Sequence, residues 1–409
     1  DDFKIVNSPD EANYLIVNTC AFIGDSKKES IQTIIEMIEQ KGNDKKLIVT
    51  GCLAQRYVEE IKDELKEVDY FIGTGTFQNI AEIIKEDQRV VVDKPHYLQD
   101  FNTPRINTLL PHLAYVKIAE GCSNSCSFCV IPKIRGTQTS RELNDIVKEV
   151  KKLADNGVKE INLVAQELTA YGNDLSSKPN LAKLLKELDK INDLKWIRLF
   201  YNYPTGFSDE LIDLMNSEEK ILKYVDLPLQ HISDKILKLM FRAGRETLIR
   251  NLIEKIKTRI NNVSLRGSFI VGFPTEDDED FNKLVNFVKE VKFEHLGVFK
   301  YSKEEQTEAA KFEGQIPQRI KNQRYNIIMK TQKDISKKIM KSYIGKELNV
   351  IIDGVSEESD LLLVGRHQNQ AFEIDGVTYI NDGTAKRGEI VKVKVTQSGD
   401  YDLVGSIIS

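Results

Sequence analysis

Two hydrophobic periods alternate along the chain. Residues 13–19 (Asn13-Tyr14-Leu15-Ile16-Val17-Asn18-Thr19) and 46–50 (Lys46-Leu47-Ile48-Val49-Thr50) are short β-branched runs, each followed by a stretch with helical spacing, as at Ile31, Ile34, Ile35 and Ile38. Strand-length runs that alternate with amphipathic helices predict a parallel sheet, because parallel neighbours need a crossover between them. The pattern predicts helices over 26–40, 56–67 and 78–86 and a third strand at Tyr70-Phe71-Ile72. Residues 87–112 lose periodicity and hold Pro95, Pro104 and Pro111, which reads as a linker.

Alternation resumes at Leu113 and predicts strands near 113–119, 160–165, 196–201, 224–229, 265–271 and 295–301, with helices between them. Six such units are too few to close an eightfold barrel, so a partial (β/α)6 barrel is expected. A long basic helix follows over 318–342. Beyond it the period shortens to two at 348–352, 361–364, 377–380 and 390–395, separated by Gly and Asp turns. The expected fold class is α/β, with an amino-terminal parallel-sheet domain (1–107), a partial barrel (108–342) and a small antiparallel β-barrel (343–409).

Composition narrows the function classes. The 409 residues are 41% hydrophobic and 30% charged, and no apolar run nears the roughly 20 residues that cross a bilayer, which excludes a membrane protein. The start, Asp1-Asp2-Phe3-Lys4, has no basic n-region or apolar h-region, so the expected compartment is the cytoplasm. The formal net charge is −5, and the tail from Tyr343 holds 6 Lys+Arg against 11 Asp+Glu, so the tail carries the whole excess. An acidic tail suits a basic protein partner better than a phosphate backbone, or it is simply a solvated acidic face.

Five cysteines, three of them crowded together, argue for metal or redox chemistry rather than a disulfide framework. Gly121-Cys122-Ser123-Asn124-Ser125-Cys126-Ser127-Phe128-Cys129 gives a C-x3-C-x2-C spacing just beyond the first barrel strand, at the end where barrel enzymes keep their chemistry. Three thiolates can hold three irons of a four-iron cluster and leave the fourth open. The alternative, structural zinc, wants a fourth ligand, and the nearest histidine, His112, precedes the strand. Cys20 and Cys52 each follow a predicted parallel strand and so emerge at one sheet edge, where open α/β sheets bind ligands; the other reading is two small core hydrophobes.

The cysteine loop, continued by Val130-Ile131-Pro132, Arg135-Gly136 and Ser140-Arg141, resembles the radical S-adenosylmethionine (SAM) superfamily, and within it the methylthiotransferases. The resemblance implies a flavodoxin-like amino-terminal domain, a radical SAM barrel and a carboxy-terminal TRAM domain. It implies that Cys122, Cys126 and Cys129 hold a 4Fe-4S cluster whose open iron chelates SAM, and that an electron donor drives SAM cleavage to a deoxyadenosyl radical. It places Phe128 near the adenine, a core aromatic being the other reading. At the strand ends of the expected rim, Gln166, Arg198, Gln230 and Gly272 are candidates to grip SAM, Gly272 because a glycine lets a ligand approach the backbone. His231 reads as a loop or capping residue, and Gly73-Thr74-Gly75-Thr76 as a turn without the Lys or spacing of a phosphate loop.

Thr19-Cys20-Ala21-Phe22-Ile23 and Gly51-Cys52-Leu53-Ala54-Gln55-Arg56 are similar to the family's amino-terminal domain, in which three cysteines hold an auxiliary 4Fe-4S cluster carrying the sulfur to be transferred. That implies a second cluster, with Cys20 and Cys52 among its ligands. The family pattern has a further cysteine at the end of an earlier strand, and only nineteen residues precede Cys20, so a missing first strand is expected. The family acts on adenosine in transfer RNA or on an aspartate of ribosomal protein S12. The stretch from Val298 to Ala310, with its acidic pair Glu304-Glu305, and Ala371-Phe372-Glu373-Ile374-Asp375-Gly376 after Val364-Gly365-Arg366, resemble the second, RimO-type branch. The implied activity is methylthio addition to the aspartate β-carbon of S12. A transfer-RNA enzyme is the nearest alternative, and a zinc-stabilised RNA-binding scaffold without catalysis is another. A chain extended upstream through that strand and its cysteine is predicted to bind about eight irons, a two-cluster count. Metal analysis returning one cluster's worth would overturn the second site.

Overall fold

Lys46–Gly51 is buried at every position after Lys46, as an interior strand of a parallel sheet covered on both faces has to be. In the computed structural model, which describes residues 3–95, 97–357 and 359–408, this strand is β2. It pairs in parallel with β1 (Tyr14–Thr19) and β3 (Tyr70–Ile72), and β4 (Val90–Val91) completes the order β1-β2-β3-β4. The edge strand β1 alternates buried and exposed positions instead, with Ile16 56% exposed. α1 (Gly24–Lys41) and α2 (Cys52–Ile61) cover one face, where Leu15, Val17 and Val49 share a core with Ile34, Leu53 and Val58. α3 (Ile80–Lys85) covers the other through Ile83, in a core with Ile48 and Ile72. Among the described residues the strand order is sequential.

The chain forms two compact units that do not follow its linear order. The first gathers 1–99, 120–139 and 302–311, and the second 100–119, 140–301 and 312–409. The cysteine loop thus belongs with the amino-terminal sheet. Its short helix α4 (Ile131–Arg135) is anchored there by Val130 and Ile134, each 1% exposed, in the core of Leu53 and Ala54.

The second unit holds the barrel. The parallel strands β5 (Leu113–Lys117), β8 (Glu160–Val164), β9 (Trp196–Leu199), β10 (Ile221–Gln230), β11 (Ser264–Val271) and β12 (His295–Lys300) stand in sequential order as an open 6-stranded sheet. The two-residue strands β6 (Ala119–Glu120) and β7 (Thr139–Ser140) flank the cysteine loop. The outer face is lined by Ile161, Leu163, Ile197, Leu199 and Val225, under the crossover helices α5 (Leu143–Asp155), α6 (Leu181–Asp189), α7 (Asp209–Ser217), α8 (Asp234–Leu239), α9 (Glu246–Arg259) and α10 (Asp278–Val291). α11 (Gln318–Lys341) buries Lys321, Arg324, Ile328, Gln332, Ser336 and Met340, one stripe at three- and four-residue spacing. Among the described residues no helix is long and apolar enough to cross a membrane.

The tail closes a barrel in the order β13 (Glu347–Ser356), β14 (Ser359–His367), β15 (Thr378–Asp382), β17 (Leu403–Ile407), β16 (Ile390–Ser398). The sequence pattern gives four of these strands. β17 was missed because Gly405 interrupts its alternation, and the β15–β17 pair is parallel, so the barrel is not wholly antiparallel.

Period-two alternation turns Glu160, Arg198, Tyr224 and Asp226 to the concave face of the open sheet, and the tail barrel meets them there. Glu160, fully buried, accepts from Arg198 Nε and Nη2 at 3.2 Å and lies 2.7 Å from Arg366 Nη1. Arg366 forks onto Asp353 at 2.7 and 3.0 Å, and His112 Nε2 lies 2.9 Å from the same carboxylate. Tyr224 donates to Asp375 Oδ2 at 2.7 Å. Asp402, half-buried, accepts the Val377 N–H at 2.8 Å. Two of the tail's carboxylates, Asp353 and Asp375, therefore lie inside. Among its described residues, exposed Glu347, Glu357, Asp360, Glu373, Asp382 and Glu389 face exposed Lys346, Lys386, Arg387, Lys392 and Lys394, a nearly balanced surface.

Two histidines of this unit are buried as neutral rings. Burial pushes His231 and His367 down to about 3, so their contribution to stability is present above the ordinary histidine range and is lost as pH falls through it. The charged chain is the more exacting element, since removing one member of a buried ion pair strands the others. Glu160→Gln is predicted to cost about 3 kcal/mol in denaturant-induced unfolding, and a loss below about 1 kcal/mol would contradict the seam's role.

Candidate metal centre

The parallel register sets Thr19 opposite Gly51, so the residues that follow, Cys20 and Cys52, leave neighbouring strands about 4.8 Å apart at one sheet edge. Thr19 Oγ1 ties that edge together, donating to Thr50 O at 2.6 Å and accepting the Leu53 N–H at 3.2 Å. Cys20 is exposed, and its backbone is held by Ser30, whose Oγ accepts the Cys20 N–H at 3.0 Å and donates to Cys20 O at 2.8 Å. Cys52 is buried and opens α2, four residues earlier than the spacing predicts. Gly51 permits this direct strand-to-helix turn: its φ is +96°, and a Cβ there would lie 2.6 Å from Thr19 O. Arg135 Nη2 donates toward Cys52 Sγ at 3.4 Å, so α4 brings a cation to this thiol.

Cys122, Cys126 and Cys129 are half-buried on one loop. Gly121, at φ +78°, lets the loop turn back on itself; a Cβ there would lie 2.3 Å from Thr137 O. Cys122 N donates to Gly136 O at 3.1 Å, Cys129 N to Cys126 O at 3.1 Å and Ile131 N to Cys129 Sγ at 3.5 Å. Phe128 is half-buried in the same loop. Three sulfur donors on one short, partly open loop fit an iron–sulfur cluster, which takes one thiolate per iron. Among the described residues no three His, Cys, Asp or Glu side chains gather around the position of a single metal ion.

The remaining sequence candidates lie in the second unit. Arg198 is corrected. Strand alternation turns it away from the rim to the concave face, where it is fully buried over the Tyr224 ring. There it makes four hydrogen bonds, two to Glu160 and one each to the carbonyls of Gln368 and Gln370, at 2.9 and 3.0 Å, which commits the side chain to the seam rather than to the rim. Gln166, just past β8, and Gln230, ending β10, are half-buried at strand ends. Three non-glycine residues at this rim adopt left-handed backbone, Tyr201 (φ +61°), Gln230 (+71°) and Thr275 (+67°), beside Gly272 (+72°), for which it is unstrained. At Gly272 the missing side chain makes room for Lys321: a Cβ would lie 2.4 Å from Lys321 Cγ. Glu276, which sequence reading did not single out, fixes this turn by accepting the Gly272 and Phe273 N–H groups, the latter at 3.0 Å. Burial pushes its carboxyl up to about 7, against the opposing pull of Arg324. His231 Nδ1 accepts the Ser233 N–H at 3.0 Å, a loop-building role.

Three family models match in succession: residues 1–73 match Uncharacterized protein family UPF0004, 116–288 the Radical SAM superfamily and 344–408 the TRAM domain. A protein of Myxococcus xanthus named ribosomal protein uS12 methylthiotransferase RimO is 49% identical over 410 residues, 99% of this chain and 86% of that protein. One of the same name from Geobacter sulfurreducens is 48% identical, covering 100% of this chain and 93% of its own. The chain belongs to the RimO methylthiotransferases. Among solved structures, the radical SAM methyltransferase TsrM from Kitasatospora setae, with cobalamin and a 4Fe-4S cluster bound, superposes with a TM-score of 0.53 at 17% identity over 71% of this chain and 65% of that one, a likeness of fold. As a RimO-family radical SAM enzyme the protein is a transferase that uses an iron–sulfur cluster and SAM. Arg56 and Arg135, beside the cysteines, went unremarked as site residues in the sequence. The signal for Arg56 was its place four residues after Cys52. Gly121→Ala is predicted to abolish the SAM-dependent change in the electron paramagnetic resonance signal of the reduced cluster, and an unchanged signal would contradict the loop geometry.

Proposed function

We propose that this chain adds a methylthio group to the β-carbon of an aspartate in ribosomal protein uS12, in the cytoplasm, with reducing equivalents from an electron donor. The observation that carries the reading is full-length similarity to RimO proteins, 46–49% identical in eight cases, joined to a loop that presents three thiols. Cys122, Cys126 and Cys129 would hold the SAM cluster, with Phe128, Gln166, Gln230 and Gly272 as the residues proposed to contact SAM. Cys20 and Cys52 would hold an auxiliary cluster that carries sulfur. Bound there, these groups supply reductive SAM cleavage and the sulfur to be transferred.

The chain's own residues supply placement. Parallel register fixes Cys20 beside Cys52, Arg135 offers a charged donor to the Cys52 sulfur, and backbone bonds, from Cys122 N to the Gly136 carbonyl and from Ala309 N to the Ser127 carbonyl, hold the cysteine loop. A reactive intermediate is useful only where neighbouring C–H bonds are kept out of reach and water is excluded, which a rigid loop serves. The TRAM barrel is proposed to meet uS12. Because its surface is nearly balanced in charge, that contact would rest on shape and local pairs more than on net charge.

The test is mass spectrometry after anaerobic incubation of the cluster-loaded full-length protein with SAM, reductant, a peptide bearing the uS12 aspartate, and bulk transfer RNA. The expected result is a methylthio increment on the peptide alone, abolished by Cys126→Ala. An increment on RNA alone would overturn the substrate.

A further inference from the structure

Residues 302–311 fold with the amino-terminal sheet and the cysteine loop, although more than 160 residues separate them from either. The segment touches both cysteine regions. At one end Glu304, 2% exposed, sets Oε2 at 3.1 Å from both Arg56 Nη1 and Lys27 Nζ, while Oε1 accepts from Ser302 Oγ at 2.7 Å. Arg56 passes this constraint to the first cysteine region: the same Nη1 donates at 2.8 Å to the carbonyl of Ala21, which follows Cys20, and its Nη2 donates to Glu305 O at 2.7 Å. At the other end Ala309 N donates at 2.8 Å to the carbonyl of Ser127, between Cys126 and Cys129. Lys133, from the helix after that loop, donates to Gln306 O at 2.6 Å. The middle is a closed turn, with Thr307 Oγ1 donating to Glu304 O at 2.7 Å.

The acidic pair therefore has a structural use. A carboxylate buried between two cations and a hydroxyl is costly to disturb, because each partner would be left unpaired. Burial raises the Glu304 carboxyl, and the bonds from Ser302, Lys27 and Arg56 bring it below its ordinary range, which keeps it ionised.

We propose that Glu304, acting through Arg56, is a positioning residue and that 302–311 is a strap fixing the Cys20 edge and the Cys122–Cys129 loop in one frame. The proposal rests on the reading that both regions carry clusters. Transfer between two centres is sensitive to placement at the scale of about 1 Å, where a misfit can cost on the order of a hundredfold. Neither Glu304 nor Arg56 need touch SAM, cluster or substrate.

The test compares wild type, Glu304→Ala and Glu304→Asp in the full-length, cluster-loaded protein. Iron per chain, magnetic interaction between the reduced clusters, and deoxyadenosine released per methylthio product are measured together. Glu304→Ala is expected to keep its iron, weaken the magnetic interaction and raise the deoxyadenosine-to-product ratio at least about tenfold, with Glu304→Asp recovering part of both. Thr307→Val, which leaves every charge in place and only loosens the turn, is expected to move both readouts the same way. Unchanged interaction and ratio in both Glu304→Ala and Thr307→Val would overturn the strap, as would losses that merely track lost iron. If wild type leaves the uS12 peptide unmodified, the substrate reading fails while the magnetic readout still judges the strap.

Discussion

The burial of Val130 and Ile134 in the core of the amino-terminal sheet is the contact on which the rest of the site depends. Each is 1% exposed, among Leu53, Ala54 and Val58, and burying such side chains stabilises by roughly 2 kcal/mol apiece. That docks a loop that begins a hundred residues later in the chain onto the sheet whose edge carries Cys20 and Cys52. All five cysteines consequently lie in one compact unit. Register does the finer work, because a one-residue slip between β1 and β2 would send Cys20 to the other face.

The second unit is organised around charge. Its outer sheet face is aliphatic and takes the crossover helices, while the concave face buries Glu160, Arg198, Arg366 and Asp353 as a continuous chain of ion pairs beside Trp196, Tyr224 and Ile351. Such a chain adds little net stability, and its use is to admit one seating of the tail barrel and penalise others. It also accounts for why net charge misdescribes the tail: several carboxylates counted as surface are structural.

Periodicity carried most of the architecture. The third strand at Tyr70–Ile72, six barrel strands and the long helix ending near Lys341 lie where the pattern puts them, because each buries a regular face. The irregular features were hidden. Cys52 begins α2 because of the Gly51 backbone, and β17 escapes because Gly405 breaks its alternation. Cysteine spacing marked the loop that carries Cys122, Cys126 and Cys129, all three half-buried. Arg198 was placed at the rim from its position in a strand, yet which face a strand residue takes depends on the partner across the sheet, here the tail barrel. The pair Glu304-Glu305 resembled a family motif, but its meaning lies in Arg56 and Lys27, more than 240 residues away in sequence. No local window contains such a pairing.

The central claim is that the two groups of cysteines serve two separable centres within one unit. It is tested most directly by Mössbauer spectroscopy and iron analysis of the full-length protein against a Cys20→Ala, Cys52→Ala double variant, with deoxyadenosine release from SAM measured on the same samples. The account predicts that the double variant loses half of its iron, still releases deoxyadenosine under reduction, and forms no methylthio product. Undiminished iron, or loss of SAM cleavage together with the auxiliary iron, would contradict it.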